Sequence, residues 1–279
     1  MSVKFSLEFF PPKTKGAYHS MTQAVDELAH LGPEFMTVTY GAGGSTKDQT
    51  RKTVLELASK YDCPIAAHLT AVGASRDEIC EIASDYYNNG IDRLVVLRGD
   101  PPPGEKYVPH PDGFPFAVDC VEALMKLHDF DITVAAYAEG HPEAPSLSFD
   151  MDNLKRKLDA GAKRAITQFF FDPELYLRFR DSAAKAGIEK EVIPGLVPIL
   201  NFRKIRNFAE KCGAPIPNFL HQMFDGVGDD DTNHSLFAMN VLSHQVTRLA
   251  GEGVRNIHFY TLNETLLTSQ ICRWLKIGF

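Results

Sequence analysis

The sequence predicts an α/β protein: a single (β/α)8 TIM barrel with an irregular final unit. Three observations carry that expectation. Apolar strand-like runs alternate with helical patterns from end to end of the 279 residues. Eight such rounds suit a closed barrel better than an open sheet. No shift of composition marks a linker, so residues 1–279 read as one domain.

The first strand, Val3–Phe10, reads V-K-F-S-L-E-F-F and stops at Pro11-Pro12, which cannot donate to a ladder. Val3, Phe5, Leu7 and Phe9 share one face; Lys4, Ser6, Glu8 and Phe10 share the other. Glu8 therefore stands near the C-terminal end of a strand among bulky apolar residues. Burial disfavours a charged carboxyl, so Glu8 is expected to hold its proton, as a general acid must. A surface glutamate on an edge strand is the alternative.

Further strands are expected at Phe35–Thr39, Ile65–Leu69, Arg93–Leu97, Ile132–Tyr137, Arg164–Phe169, Val192–Val197 and Asn256–Tyr260. Helical patterns lie between them at Tyr18–Leu31, Lys47–Tyr61, Ser75–Asn89, Ala117–His128, Met151–Ala160, Pro173–Ala186 and Phe202–Cys212. Ser75 followed by Glu78 forms a capping box, and Gly90, Gly161 and Gly187 sit where helices end. Residues 213–255 break the rhythm with a Pro-rich turn, the acidic Asp229-Asp230-Asp231 and a long helix.

Composition narrows the function classes. The chain is 44% hydrophobic and 23% charged, an ordinary globular balance. A net charge of -7 without a basic stripe argues against nucleic acid as a partner. No run approaches the roughly 18 apolar residues of a membrane span, and the N-terminus lacks a signal-peptide pattern. Five scattered cysteines without a C-x-x-C pair argue against disulfides or zinc and fit a reducing cytoplasm.

In such a barrel the active site gathers at the C-terminal strand ends. Those ends carry Glu8; Thr39 and Tyr40 running into Gly41–Ser45; His68; Arg98-Gly99-Asp100; Tyr137 with Glu139 and His141 beyond; Gln168; and His258 with Tyr260. Each has a plainer reading: a core histidine, a packing tyrosine, a simple turn. Asp150, Asn153, Arg156 and Lys157 share much of one helical face, which suits a ligand's phosphates or a solvated surface equally. No G-x-G-x-x-G, no phosphate-binding G-x-x-x-x-G-K-[ST] and no metal-ligand spacing is present.

Eight stretches, in order and nearly spanning the chain, resemble the bacterial 5,10-methylenetetrahydrofolate reductases. They are F-S-L-E-F-F-P-P-K (5–13), V-T-Y-G-A-G-G-S (38–45), A-H-L-T (67–70), L-R-G-D-P-P (97–102), A-A-Y-A-E-G-H-P-E (135–143), L-K-R-K-L-D-A-G-A (154–162), A-I-T-Q-F-F-F-D (165–172) and H-F-Y-T-L-N (258–263). The resemblance implies non-covalent FAD, with NADH or NADPH as co-substrate. It implies reduction of 5,10-methylenetetrahydrofolate to 5-methyltetrahydrofolate, ping-pong across one flavin face, feeding methyl groups to methionine synthesis. It further implies a cytoplasmic homo-oligomer and a single catalytic domain, without the regulatory domain of eukaryotic relatives.

Site roles follow from the same resemblance. Thr39, Tyr40, Ala42, His68, Leu97, Arg98, Gly99 and Asp100 would line the FAD site, as would Phe116, Ala117, Ala135, Tyr137 and His141. Asp150, Asn153, Arg156 and Lys157 complete it. Glu8 would be the acid that opens the folate ring; Asp100 and Gln168 would bind the pteridine, with Asp100 also tuning the flavin. Phe208 would stack on bound substrate and Tyr260 would stand near the folate. Two residues depart from the family pattern. Phe116 replaces an expected tyrosine, which removes a hydroxyl from the cofactor site. Glu264 stands where relatives can carry an arginine, which removes a cation from the folate tail. The rival is a non-flavin barrel enzyme such as an aldolase-type lyase, which needs a Schiff-base lysine or metal at the strand ends; neither is apparent.

Overall fold

A computed structural model describes residues 3–41, 46–101, 104–227 and 231–277. The first rounds are β1 (Lys4–Phe9), α1 (Lys15–Ala29), β2 (Met36–Val38), α2 (Lys47–Lys60), β3 (Ile65–Thr70) and α3 (Arg76–Asn88). Thr14 caps α1 by accepting from the Ala17 amide at 3.1 Å. Ser75 does the same for α3, from Glu78 N at 3.2 Å, as the sequence predicts. The middle rounds are β4 (Arg93–Leu97), α4 (Ala117–Leu127), β5 (Asp131–Ala136), α5 (Leu147–Asp159), β6 (Arg164–Thr167) and α6 (Pro173–Lys185). Gly90, Gly161 and Gly187 end helices at φ of 81°, 126° and 76°, where a side chain would strain the backbone.

The seventh strand departs from the continuous Val192–Val197 run that the sequence suggests. It is two short pieces, β7 (Val192–Ile193) and β8 (Gly195–Leu196), on either side of Pro194. Proline has no N–H for the ladder. Its carbonyl still accepts from His258 N at 2.9 Å, and Gly195 N turns to the Thr167 hydroxyl at 2.9 Å. All pairings are parallel, in the order β7-β6-β5-β4-β3-β2-β1-β9-β8, where β9 is Asn256–Tyr260. Because β7 joins β6 and β8 joins β9, the broken strand brings the two sheet edges together, and the barrel is nearly closed.

The irregular final unit is α7 (Phe202–Cys212), α8 (Asn218–Asp225) and the long α9 (Asp231–Gly251), all between β8 and β9; α10 (Leu266–Ile277) follows. Asp229 and Asp230 fall outside the described residues.

Strand alternation sorts side chains into two cores. Val3, just before β1, and Phe5, Leu7 and Phe9 of β1 point outward into the large core beneath the helices. Phe35, Ala66, Val95, Ile166 and Ile193 form a separate cluster inside the barrel. The guanidinium groups of Arg93 and Arg164 lie 5.6 and 5.8 Å from the Phe35 ring centre and both pair with Asp131. This apolar and ion-paired filling makes the barrel a packed body that opens only at its mouth.

Candidate active site

The inward face of β1 that begins with Ser6 puts Glu8 at the mouth. In register, Glu8 lies beside Thr37 of β2 and Tyr260 of β9, and Ser6 beside His258. Glu8 is 8% exposed, which rules out the surface reading. Its Oε2 is 3.3 Å from His68 Nε2 and 3.6 Å from His258 Nε2. On its far side, His258 Nδ1 meets the Ser6 hydroxyl at 2.7 Å.

This geometry corrects the expectation of a carboxyl kept protonated by apolar neighbours. Burial does push the Glu8 carboxyl up, but His258 and His68 pull harder and bring it down to about 2. The carboxyl is therefore ionised near neutral pH, faced by the two imidazoles.

A cavity of about 720 Å³ opens above Glu8. It collects Thr39, Tyr40, His68, Leu97, Asp100, Ala135, Tyr137, Gln168 and Tyr260 from the strands and the loops that follow them, together with Phe208. Phe208 reaches it from α7 and stacks on Phe169 at 5.1 Å and 22°. Tyr260 donates its hydroxyl to the Thr167 carbonyl at 2.8 Å, which fixes its ring against Gly195. Among the described residues, Thr37 Oγ1, His68 Nε2, Thr70 Oγ1 and His258 Nε2 are buried without a hydrogen bond inside the protein. Buried polar atoms are rarely left so, and this group lies on the strands around Glu8.

Two smaller cavities, of about 90 and 170 Å³, prolong the first. The first of them shares Leu97, Asp100, Ala135 and Tyr137 with the main cavity, and Arg98, Ala117, His141 and Lys157 with the outer one. Gly99 lies in this passage at φ 84°, where a Cβ would be 2.6 Å from Val72 Cγ1. Phe116, Asp150 and Asn153 line the outer end. The Asp150 carboxylate accepts from His141 N at 3.0 Å. Arg98 is held between the Glu143 carboxylate at 2.5 Å and the Tyr107 ring at 4.2 Å. Half-buried Lys157 donates to the Ala135 carbonyl at 2.6 Å, and desolvation brings its ammonium down to about 8 against the pull of Asp150.

Two anticipated residues stand apart. Arg156 is exposed and lines none of these cavities, because i+6 from Asp150 is about 240° round a helix while i+7 returns to the same face. Ala42 lies outside the described residues. The structure also adds residues that the sequence did not single out. Ser6 joins the cluster through His258, 252 positions away. Lys13 and Asn263 line the cavity rim. Glu139, which the sequence does place just beyond the fifth strand, has a buried Oε2 without a hydrogen bond, and burial, with Asp172 nearby, pushes its carboxyl up to about 7.

A parallel α/β barrel with an acid–imidazole cluster under a long, branched trough is the frame of an enzyme acting on an extended organic ligand. The chain matches the family model described as "Methylenetetrahydrofolate reductase" over residues 1–276. It is 45% identical to 5,10-methylenetetrahydrofolate reductase of Escherichia coli (strain K12), over 99% of this chain and 91% of that one. It is 42% identical to the protein of the same name from Buchnera aphidicola subsp. Acyrthosiphon pisum, over 99% and 93%. The chain belongs to the methylenetetrahydrofolate reductase family, and so to the oxidoreductases of one-carbon metabolism. Its fold is also similar to that of an uncharacterized protein from Clostridium thermocellum said to bind two copies of 5-methyl-5,6,7,8-tetrahydrofolic acid. The TM-score is 0.67 over 99% of this chain and 95% of that one; at 13% identity the likeness is one of fold. No described helix is long and apolar enough to cross a membrane.

Proposed function

We propose that this protein reduces 5,10-methylenetetrahydrofolate to 5-methyltetrahydrofolate with FAD as resident cofactor and NADH or NADPH as electron donor. The observation that carries the proposal is the single trough joining the Glu8 cluster to the Lys157 end. Its wide part suits flat ring systems, and its narrow part suits a phosphate-bearing chain. The residues fit FAD on their own chemistry. Lys157 is a half-buried cation whose proton is loosely held, so an anion beside it would relieve the desolvation cost. Arg98, the His141 face and Asn153 complete that end, and Thr39, Tyr40, His68, Leu97 and Ala135 would flank the isoalloxazine.

When bound, FAD supplies the hydride relay, from the nicotinamide nucleotide to the folate in alternation. The chain's own part is acid–base and positional. Asp100, after β4, and Gln168, after β6, both line the cavity on either side of the β5 end and would hold the pteridine, and Phe208 would cover it. The methylene bridge must open to a cationic iminium before it can accept hydride. Opening needs a proton on the departing nitrogen. Glu8 would deliver it as the cavity-facing member of the cluster with His68 and His258, and Asp100 would favour the cation formed. Because the carboxyl is drawn down to about 2, Glu8 must first take up the proton that it passes. Covering the cavity would exclude water and strengthen these charges.

The test is direct. FAD added to flavin-free protein should bind one per chain, and anaerobic NADH or NADPH should bleach it. Methylenetetrahydrofolate should then restore the colour. A protein that binds FAD but whose reduced flavin ignores the folate would refute the substrate assignment.

A further inference from the structure

Residues 104–115, between β4 and α4, form no helix or strand, yet they are pinned at several points. The Tyr107 hydroxyl donates to the Pro115 carbonyl at 2.7 Å, which draws the two ends of the segment together. The tip is fastened to the start of α3. Arg76 donates from its backbone N–H to the Asp112 carbonyl at 2.9 Å and from Nε to the Gly113 carbonyl at 3.1 Å. Its guanidinium carbon also lies 5.1 Å from the centre of the buried Phe114 ring. Gly113 is packed so closely that a Cβ would be 2.7 Å from the Ala74 carbonyl oxygen. The segment is therefore a strap, and Tyr107 is held in place at its near end.

Half-buried Tyr107 packs against Arg98, whose guanidinium carbon is 4.2 Å from the ring centre. Arg98 Nη1 donates to the Glu143 carboxylate at 2.5 Å, and Nε meets the Gly99 carbonyl at 3.4 Å. Glu143 is itself held, since its N–H donates to His141 Nδ1 at 3.1 Å. Among the described residues no partner takes Nη2. Arg98 lines both smaller cavities, whereas Tyr107 lines neither. Tyr107 thus bears on the passage only through the arginine. A free arginine gives up many rotamers when it grips an anion; one already clamped has given them up beforehand. Building on the FAD reading above, we propose that Tyr107 is a positioning residue that holds Arg98 set for the cofactor's diphosphate, so that the strap governs how long FAD stays bound. Arrival of FAD should depend little on Tyr107, because its ring does not narrow the passage; the contribution lies in the dissociation rate. A partly desolvated cation–π contact of this kind should slow release roughly 3–10-fold.

The experiment measures FAD release from the loaded protein, trapped by an excess of an unrelated FAD-dependent apo-oxidase whose regained activity counts the flavin set free. Tyr107→Phe keeps a ring face on Arg98 and should release FAD at the wild-type rate. Tyr107→Leu fills the space without such a face, and Tyr107→Ala leaves it open; both should release FAD roughly 3–10-fold faster. Lost packing would act in any background, so Tyr107→Leu is also combined with Arg98→Met. There release should already be fast, and Tyr107→Leu should accelerate it no further. If Tyr107→Ala does not fold, Tyr107→Leu carries the comparison. Equal acceleration by Tyr107→Leu in both backgrounds would overturn the positioning role and leave the FAD reading standing. So would release from Tyr107→Phe as fast as from Tyr107→Leu, or an unchanged rate in Tyr107→Leu. Wild-type protein that takes up no FAD would overturn both.

Discussion

The Glu8 carboxylate lies 3.3 Å from His68 Nε2, with both side chains buried at the mouth of the barrel. That contact, with His258 on the other side, turns an isolated acid into a carboxylate faced by two imidazoles. Glu8→Gln keeps the shape and removes the transferable proton. Flavin binding and its reduction by the nicotinamide nucleotide should be unchanged, while folate reduction should fall about 10²–10⁴-fold. Rapid mixing of each half-reaction separately checks this; equal loss in both would remove Glu8 from the acid role.

The same contact links the cluster to acid stability. The Glu8 carboxyl sits at about 2 in the folded chain, below its ordinary 4.5. A lowered acid contributes stability that is present above the unfolded value and is lost as pH falls through the folded one. Unfolding free energy should therefore decline across pH 4.5 to 2 more steeply in the wild type than in Glu8→Gln. Denaturant titrations at several pH values would show parallel slopes if the imidazoles did not act on Glu8.

Asp100 faces the cavity from the end of β4. Asp100→Asn removes negative charge beside both the flavin and the pteridine. Folate binding should weaken and the flavin should become easier to reduce. A spectroscopic redox titration measures the second effect, and an unchanged potential would contradict the electrostatic part of the role.

Lys157 separates stability from binding. Its ammonium drops to about 8 on burial from an ordinary 10.5, so the charged lysine costs folding energy. That cost is full below pH 8 and fades as pH rises towards 10.5. Lys157→Met should raise the Tm of the flavin-free protein at pH 7 and leave it nearly unchanged at pH 10.5. It should also weaken FAD binding about 10–100-fold, the range for a lost hydrogen bond to charge. In the wild type, FAD affinity should decline as pH rises past about 8. Tighter FAD binding by the variant would place the phosphates elsewhere.

Gly195 closes the barrel where a Cβ would be 2.4 Å from the Thr167 carbonyl and 2.5 Å from the Tyr260 ring. Gly195→Ala should cost about 1–3 kcal/mol of stability by overpacking. Because the neighbour that must yield is Tyr260, folate affinity should fall with it. Thermal denaturation and folate titration of the one variant check both effects.

Much of this site was legible in the sequence because a closed barrel converts strand position into spatial position. Glu8, His68, Tyr137, Gln168 and Tyr260 needed only strand ends to be found, and the structure brings them to one cavity. What stayed hidden depends on distance along the chain or on local backbone. Ser6 shares a strand face with Glu8, but its bond to His258, 252 residues away, shows only once β1 is paired with β9. The split at Pro194 shows only when the missing N–H is weighed against the β6 and β9 partners. The Glu8 carboxyl misled because burial was visible in the apolar run V-K-F-S-L-E-F-F while the two imidazoles that outweigh it come from β3 and β9. Arg156 joins the set by its i+6 spacing from Asp150 and by the resemblance, although a helix turns it about 100° away from Lys157.

The most direct measurement is a full anaerobic cycle watched through flavin absorbance. FAD-loaded protein should be yellow, lose its colour with one equivalent of NADH or NADPH, and regain it with one equivalent of methylenetetrahydrofolate while 5-methyltetrahydrofolate forms. Protein that takes up no FAD, or a reduced flavin that methylenetetrahydrofolate leaves bleached, would contradict a single trough serving both ligands.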